Sequence, residues 1–342
     1  MKRWIPLLGG VLVLQLALAA VLTRHGDRLA PQRSDAKLVA ADLKDIDRLT
    51  IAGPVAPDAA ASAPTPLVIV KKDGRWQMPG YFDAPADAVK VQAMVDRLGR
   101  LQRGLPIATT AGALDRFEVS DRHYERRIVA AAGEKTLATV YIGASAGPRK
   151  SDARTDADAA VYAVELSSYE LPVGGQEWLD AGLLARDAKT IAAIDVAMPG
   201  RPDIALARAA AAGASSPSGA VEWQAQNLPA GAKLDAKRAA ALADALADVK
   251  VDAVLGRTAV ADWQQDQPEL TLTTKDAAGK STTWVLSKRK SGDSHVLKAS
   301  DRPWFVELQP YHAQPLLDAA APEKLVAGLP AAAAASAPAD PG

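Results

Sequence analysis

The stretch VELSSY at residues 164–169 returns as VELQPY at residues 306–311, 142 residues further along the chain. Four other features repeat in the same order, each 145 to 148 residues from its counterpart. They are an apolar pattern at 46–51 and 191–196, a Trp-Gln pair at 76–77 and 223–224, a helical stripe (Val91, Met94, Leu98, Leu101; Ala239, Leu242, Leu246, Val249) and a turn at Gly133 and Gly279. Five collinear matches at nearly constant spacing indicate an internal duplication.

Each copy is predicted to be an α+β unit, in which an antiparallel sheet carries one long helix. Asp73-Gly74 predicts a hairpin in the first copy. The apolar stripe predicts the helix, with Asp83 or Asp87 as its N-cap, and Asp235 takes that role in the second copy. Each VELxxY motif is the predicted closing strand. Because strands outnumber helices and mostly follow one another as hairpins, the fold class is α+β and not a parallel βαβ sheet.

The N-terminal segment carries a membrane signal. Lys2 and Arg3 precede 19 uncharged residues, 4–22, which as a helix span about 28 Å and match the hydrocarbon thickness of a bilayer. A cleaved signal peptide is the alternative, since Ala17-Leu18-Ala19 fits a small-x-small cleavage site. The run is longer than the apolar region of most signal peptides, which favours a retained transmembrane helix. A single pass with the rest of the chain outside the cytoplasm follows.

The predicted organisation continues from this anchor, residues 1–23, through a tether at 24–43. The first copy covers residues 44–188 and the second 189–329. Ala/Pro-rich and Ala/Ser/Gly-rich inserts at 53–66 and 209–220 interrupt them at corresponding points, and both are expected to be mobile. The Ala/Pro tail, 330–342, is expected to be disordered.

Composition excludes several functional classes. The chain of 342 residues has 40 Lys+Arg, 40 Asp+Glu and no cysteine. A formal charge of zero argues against nucleic acid as a partner. The absence of cysteine excludes disulfides, thiolate nucleophiles, iron–sulfur clusters and a lipidated N-terminal cysteine.

One motif in the chain resembles a catalytic one. Residues 143–147, GASAG, match the G-x-S-x-G nucleophile elbow, which requires a helix directly after the serine. The residues that follow, 148–152, lack apolar periodicity, and the corresponding segment 287–292 lacks the motif. We therefore interpret GASAG as a turn at a strand end.

Metal ligands show no recognised spacing. The four histidines are scattered, and no two form an H-x-x-x-H pair (His25, His123, His295, His312). Asp152, Asp156 and Asp158 suggest a calcium loop, but Ser167 stands where an EF-hand needs a bidentate Glu. These aspartates are expected to form a solvated turn. We predict no catalytic residue, no cofactor and no metal site.

Two basic loops recur at corresponding places and are the candidate partner contacts. They are Arg149-Lys150 and Lys288-Arg289-Lys290. Solvated hairpin tips are the simpler interpretation. The functional interpretation is a pair of positive loops that meet an acidic partner surface or anionic lipid headgroups.

A family resemblance is carried by four stretches in order: KDGRW (72–76), ERRIVAAAGEKTLATVYIG (125–143), VYAVELSSYELP (161–172) and WLDAGLL (178–184). Together they resemble a bacterial family of membrane-anchored proteins catalogued as a domain of unknown function. The resemblance covers roughly residues 44–190. Members are often encoded beside components of gliding-motility-type ABC transporters. The resemblance implies an N-terminal anchor and an extracytoplasmic body, and it carries over no catalytic residue.

The expected function is therefore that of a non-catalytic, membrane-anchored periplasmic accessory or scaffold protein. It is expected in the bacterial inner membrane as a companion to an ABC-type transport system. The alternative is a periplasmic ligand-binding protein or hydrolase that uses a cleft between the two copies.

Overall fold

The computed structural model describes residue 15 and residues 36–54, 64–208 and 222–329. Within them the protein consists of two large antiparallel sheets and few helices, which confirms a mixed fold built on antiparallel strands. Several predicted segments lie outside the described residues. They are the anchor apart from residue 15, most of the tether, most of the two inserts and the C-terminal tail. Among the described residues, no helix has the length and apolar character needed to cross a bilayer.

The first sheet has eight strands in the order β4-β3-β2-β1-β5-β6-β7-β8. Their bounds are β1 Arg48–Ala52, β2 Leu67–Lys72, β3 Arg75–Met78, β4 Ala84–Pro85, β5 Arg126–Ala132, β6 Lys135–Gly147, β7 Lys150–Thr155 and β8 Asp158–Val164. The strands from β5 to β8 form a meander, in which each strand pairs antiparallel with the next.

The second sheet also has eight strands, in the order β11-β10-β9-β14-β15-β16-β17-β13. Their bounds are β9 Ile191–Ala197, β10 Ile204–Arg208, β11 Trp223–Ala225, β13 Ala253–Gly256, β14 Leu270–Asp276, β15 Ser281–Lys288, β16 His295–Ala299 and β17 Phe305–Leu308. A separate two-stranded sheet pairs β12 (Lys233–Leu234) with β18 (Val326–Ala327).

The two strand orders follow one pattern. In each sheet the first strand of the copy, β1 or β9, lies between a hairpin arm and a four-stranded meander. Beyond the last meander strand, the second sheet adds β13, whereas in the first an isolated bridge from Ala108 to Val161 stands beside β8. This common order agrees with the predicted duplication; the overlay of the copies and their boundaries stay predictions.

Residues 36–54, 64–208 and 222–329 contain five α-helices: α1 Ala88–Arg100, α2 Ala113–Arg116, α3 Ala236–Ala247, α4 Pro310–Ala320 and α5 Pro322–Leu325. The predicted stripes of α1 and α3 are buried, including Leu98 and Leu246. The predicted caps are present as well. Asp87 accepts hydrogen bonds from the backbone of Val89 and Lys90, and Asp235 does the same for Lys237 and Arg238.

One long helix per copy is not confirmed. The second copy also contains α4, in which Pro310 occupies the first turn and Ala313, Leu316 and Ala320 are buried. Proline is favoured there because its fixed φ and missing N–H suit a helix start.

The two VELxxY motifs differ from the predicted closing strands in the same way. Each strand ends before its tyrosine. Tyr169 lies in a short 3-10 helix after β8 and Tyr311 in the first turn of α4, and their side chains are 68% and 66% exposed. In the first copy Ser167 and Glu170 form a reciprocal capping box that starts the turn. A local cap therefore ends the strand pattern.

By contacts, the chain divides into two compact units. The first unit is Met1–Leu67 with Gln92–Val173, and the second unit is Val68–Val91 with Gly174–Gly342. The core consists mainly of Leu, Ile, Val and Ala side chains, and Trp76 and Trp223 are both buried in it.

Gly143 in β6 provides a test of packing. A Cβ atom there would lie 2.0 Å from the Phe117 carbonyl oxygen and 2.5 Å from that of Glu118. Because backbone cannot move aside as a side chain does, we expect Gly143→Ala to lower the free energy of unfolding by about 3 kcal/mol or more. Urea denaturation measures the change.

The matched control is Gly112→Ala, whose Cβ meets no atom within 4 Å. It is expected to shift the free energy of unfolding by less than about 1 kcal/mol. Equal stability of the two variants would contradict the close approach.

Candidate functional site

Ser145 does not stand on a nucleophile elbow. It lies inside β6, is paired with Ser151 of β7, and its hydroxyl donates to the Gly147 carbonyl at 3.4 Å. A hairpin turn follows, where an elbow requires a helix. The glycine that opens the motif is explained by the close approach of Phe117. The interpretation of GASAG as a turn at a strand end is correct for the strand end but not for the turn: residues 143–147 belong to β6, and the turn follows at Pro148 and Arg149.

The turn after Gly147 holds the first pair of predicted contact residues. Pro148 and Arg149 form a two-residue connection between β6 and β7, and Arg149 has a φ of 57°. Proline followed by a left-handed residue is the pattern of a type II turn, in which glycine usually takes the second place. A left-handed arginine costs roughly 1–2 kcal/mol. The turn therefore holds an exposed cation in a strained conformation.

Arg149 and Lys150 line a groove of about 1050 Å³ in the first unit, here called the basic groove. Its walls are the end of α1 with the segment that follows, the β6–β7 turn and part of β8. Five of the lining side chains are cationic: Arg97, Arg100, Arg103, Arg149 and Lys150. Glu165 is the one carboxylate in the lining. Arg97, Arg100 and Arg103 were not among the predicted contact residues, although their spacing of three residues is visible in the sequence.

Arg97 is fixed by the segment that follows β8. Its guanidinium donates to both carboxylate oxygens of Glu170 and to the Glu165 carbonyl, the latter at 2.8 Å. Burial would raise the pKa of Glu170, but the hydrogen bonds from Arg97 and the Ser167 backbone outweigh it and leave that pKa below its ordinary value of 4.5. The pair therefore stays ionised at neutral pH and holds the end of α1 against the sheet.

Arg103 is held in a similar way. It donates to Asp158 at 2.7 Å and to the Tyr162 hydroxyl at 3.1 Å, and its guanidinium lies 5.2 Å from the Tyr162 ring centroid. The Tyr162 hydroxyl in turn donates to Asp158 at 2.6 Å. Hydrogen bonds from Tyr162 and the Ala160 backbone, with the charge of Arg103, lower the pKa of Asp158.

The other three cations are held loosely. Arg100 is 75% exposed and lies 3.8 Å from Asp96, and Lys150 lies 3.8 Å from the exposed Glu165. Among the described residues, no ion pair involves Arg149. Exposed pairs at this distance contribute little to stability. Arg100, Arg149 and Lys150 are therefore the cations that can exchange their present neighbours for a ligand.

The second predicted loop lies in the second unit, between β15 and β16. Arg289 donates to Asp262 at 2.9 Å and to Glu307 at 3.1 Å. Hydrogen bonds from Arg289 to Asp262 and Glu307 outweigh the effect of burial and raise its pKa. Lys288 lies 3.4 Å from Asp293, and Lys290 is exposed. Of the three cations, Arg289 is thus committed to structural pairs.

A relation between the two loops escaped sequence analysis. In each copy the glutamate of the VEL motif contacts a cation of the basic turn: Glu165 with Lys150, and Glu307 with Arg289. In the first copy Glu165 directly follows β8 and Lys150 opens β7, and in the second copy Glu307 lies in β17 and Arg289 in the turn before β16. The repeated glutamate therefore has a local partner in each copy, which sequence spacing alone does not reveal.

The histidines and aspartates do not converge. Among the described residues, no group of three His, Cys, Asp or Glu side chains is arranged to hold a metal ion. His123, His295 and His312 contact, respectively, the Asp115 carbonyl, Glu269 and Asp252. His25 lies outside the described residues.

The three aspartates of the supposed calcium loop separate as well, and they do not all lie in a solvated turn. Asp156 accepts a hydrogen bond from the Thr139 backbone, and Asp158 is paired with Arg103. Asp152, in contrast, is buried in β7, 5% exposed. Every residue of β7 after Lys150 is buried, so Asp152 lies in a strand covered on both faces and not in a solvated turn.

The fold and this groove define a two-sheet α/β protein with a basic groove beside one sheet. The pattern of the DUF4340 family, a domain of unknown function, matches residues 76–272. Because the match covers more than half of the chain, the protein belongs to this family. It begins at Trp76 in the first copy and ends in β14 of the second. No curated protein and no solved structure matches the chain.

Asp152 gives the first unit a pH dependence. Burial raises the pKa of this carboxyl above its ordinary value of 3.8. The folded protein then binds the proton more tightly than the unfolded chain, so this group lowers stability as pH rises from about 4 through the raised pKa. Asp152→Asn does not titrate. We expect the stability of the variant, relative to the wild type, to increase over this range and then level off.

Urea denaturation of both proteins between about pH 4 and pH 7 measures this difference. A relative stability that stays constant or falls with increasing pH would contradict the burial of a titrating carboxyl.

Proposed function

We propose that this protein is a non-catalytic, single-pass accessory or scaffold protein of the bacterial inner membrane. Most of the chain lies in the periplasm, and it accompanies an ABC-type transport system. The observation that carries the proposal is the repeated arrangement of the two copies. Each has a sheet of the same strand order with a basic turn tied to the VEL glutamate. A repeated surface of this kind suits a protein that holds other subunits.

The energy for transport must come from other subunits. The sequence contains no GxxxxGK[ST] loop to cradle phosphates. The apolar uncharged run at residues 4–22 is long enough for a single span, and a single helix cannot enclose a transport path. The family resemblance is the reason to propose a transporter as the partner, and these sequence features are the reason to propose an accessory role. The strand position of Ser145 supports the non-catalytic part, because the G-x-S-x-G match lacks the helix that a nucleophile elbow needs after its serine.

Capture of the partner tests the proposal. The tagged full chain is purified from membranes in mild detergent, and the proteins that accompany it are identified by mass spectrometry. We expect a multispanning subunit together with a subunit that carries a phosphate-binding loop. Reversal of the second loop, Lys288→Glu with Lys290→Glu, should reduce capture severalfold, because an acidic partner surface would then face like charges. Arg289 is left intact because of its structural pairs.

The matched control is Lys135→Glu with Lys280→Glu. These exposed lysines lie at the other repeated turns, beside Gly133 and Gly279. Both double variants should keep the stability of the wild type within about 1 kcal/mol, as is usual for surface changes. Equal loss in the control removes the second loop from the proposal. Capture of no transporter subunit contradicts the proposed role, as does turnover of an envelope substrate that Ser145→Ala abolishes.

Retention of the anchor is tested separately. We expect the mature protein in the membrane fraction to keep residues 1–23, because the uncharged run is longer than that of most cleaved signals. N-terminal sequencing and intact mass decide the matter. A new terminus at Ala20 would refute the anchor.

A further inference from the structure

We propose that the basic groove of the first unit binds the phosphate-bearing headgroups of anionic lipids at the membrane surface. The inference rests on the proposed anchor, which brings the groove close to the bilayer. It goes further by assigning the groove an occupant. Arginine forks and lysine ammonium groups bind phosphate well. The groove lining presents four arginines, of which Arg149 lies in the turn, and one lysine.

The path of the chain places the groove near the anchor. Residues 36–38 run antiparallel to the segment directly after α1. The backbone N–H of Leu38 donates to the Leu101 carbonyl, and the backbone N–H of Arg103 donates to the Ala36 carbonyl. The described body thus begins at the wall of the groove. Residues 23–35 separate it from the uncharged run, and 13 residues reach at most about 45 Å. A chain anchored by residues 4–22 therefore keeps this wall within that distance of the bilayer.

Exposed apolar side chains continue the same surface. Leu105 follows the groove residue Gly104 directly and is 64% exposed, and Ile107 is also exposed. Apolar side chains beside lysine and arginine are typical of surfaces that lie in the headgroup region, where the aliphatic part enters the interface and the cations remain with phosphate. An acidic protein partner would explain the cations but leave Leu105 without a role.

The charges of the groove exceed what the fold needs. Arg97 and Arg100 stand in the last turn of α1, where cations stabilise the helix dipole. That effect does not explain Arg149 or Lys150, which come from the hairpin. When the paired carboxylates behind the lining are included, the groove has five cations and four carboxylates. The excess is therefore one positive charge, and it lies on Arg149, which has no ion pair among the described residues.

The strain at Arg149 points to the same residues. A glycine would take a φ of 57° without strain, yet the chain places an arginine there, within the groove and exposed. Strained positions that persist are concentrated at functional sites. Each cation near an anionic surface strengthens binding by roughly fivefold. Arg100, Arg149 and Lys150 together are enough for a measurable preference for anionic over neutral membranes.

The absence of cysteine allows a direct test with the full chain. A single cysteine replaces Leu105 at the groove or Glu134 at the far end of β6, and it carries an environment-sensitive fluorophore. The 13-residue β6 separates its two turns by roughly 40 Å. Each labelled protein is reconstituted into nanodiscs of neutral lipid or of neutral lipid with about one-third anionic phospholipid. We expect emission at position 105 to rise about twofold with anionic lipid, and emission at position 134 to stay unchanged.

Charge variants identify the groove as the cause. In the protein labelled at position 105, Arg100→Glu with Lys150→Glu should return the emission to its level in neutral discs. Lys135→Glu, at the far turn, should leave the increase intact. Arg149→Gly should weaken the increase while it keeps or raises the unfolding temperature, since glycine relieves the left-handed strain. This variant therefore separates loss of the charge from loss of the fold.

The remaining outcomes overturn the proposal. If inorganic phosphate alone gives the response in neutral discs and anionic lipid adds nothing, the groove binds free phosphate. If the response needs native membrane proteins and not anionic lipid, the groove binds a protein. Equal responses at positions 105 and 134 show nonspecific adsorption.

Failure of the anchor is visible separately. A chain that leaves neutral membranes in high salt has no retained anchor, and the proposed function then fails. The same labelled chain is next added to anionic vesicles, where the groove variants decide the lipid proposal independently.

Discussion

The first strand of each copy is the constraint on which the rest of the structure depends. Leu49 and Ile51 in β1, like Ile194 and Val196 in β9, are buried, and each strand pairs with the start of its meander. A shift of one residue in this register would turn the apolar side chains outward. The meander inherits the register, so the β6–β7 turn and Glu165 in the first copy become neighbours. The basic groove thus depends on apolar residues that do not line it.

Local signals account for what sequence analysis predicted correctly. The caps Asp87 and Asp235 act within three residues, and the buried stripes of α1 and α3 depend only on helical spacing. The positions of Tyr169 and Tyr311 were wrong because a cap and a proline end the strand pattern sooner than apolar spacing indicates. The groove was missed for another reason. The end of α1 and the β6–β7 turn are about 50 residues apart in sequence, and only the sheet brings them together.

The GASAG segment shows how one set of residues can match a catalytic motif for unrelated reasons. Gly143 is required because the Phe117 carbonyl would contact any Cβ there, and Ser145 is a residue of an antiparallel ladder. Neither requirement involves a nucleophile. The turn that follows GASAG contains a residue with an unusual backbone geometry, Arg149, whose φ is 57°. This residue lies outside the motif. The strained residue is therefore the cation Arg149 and not Ser145.

The two copies use the same contact for different purposes. In the second copy Arg289 lies between Asp262 and Glu307, and its donors are occupied. In the first copy Lys150 is 3.8 Å from an exposed Glu165, and Arg149 extends the turn without an ion pair among the described residues. A cation held by two carboxylates stabilises its own unit, whereas a loosely held cation keeps its charge for a ligand. In the proposed duplication, the basic turn of the second copy is committed to structural pairs and that of the first copy is loosely held, so the proposed lipid binding falls on the first copy alone. The loosely held turn belongs to the copy that follows the proposed anchor, so the proposed lipid binding and the proposed membrane attachment fall on the same unit.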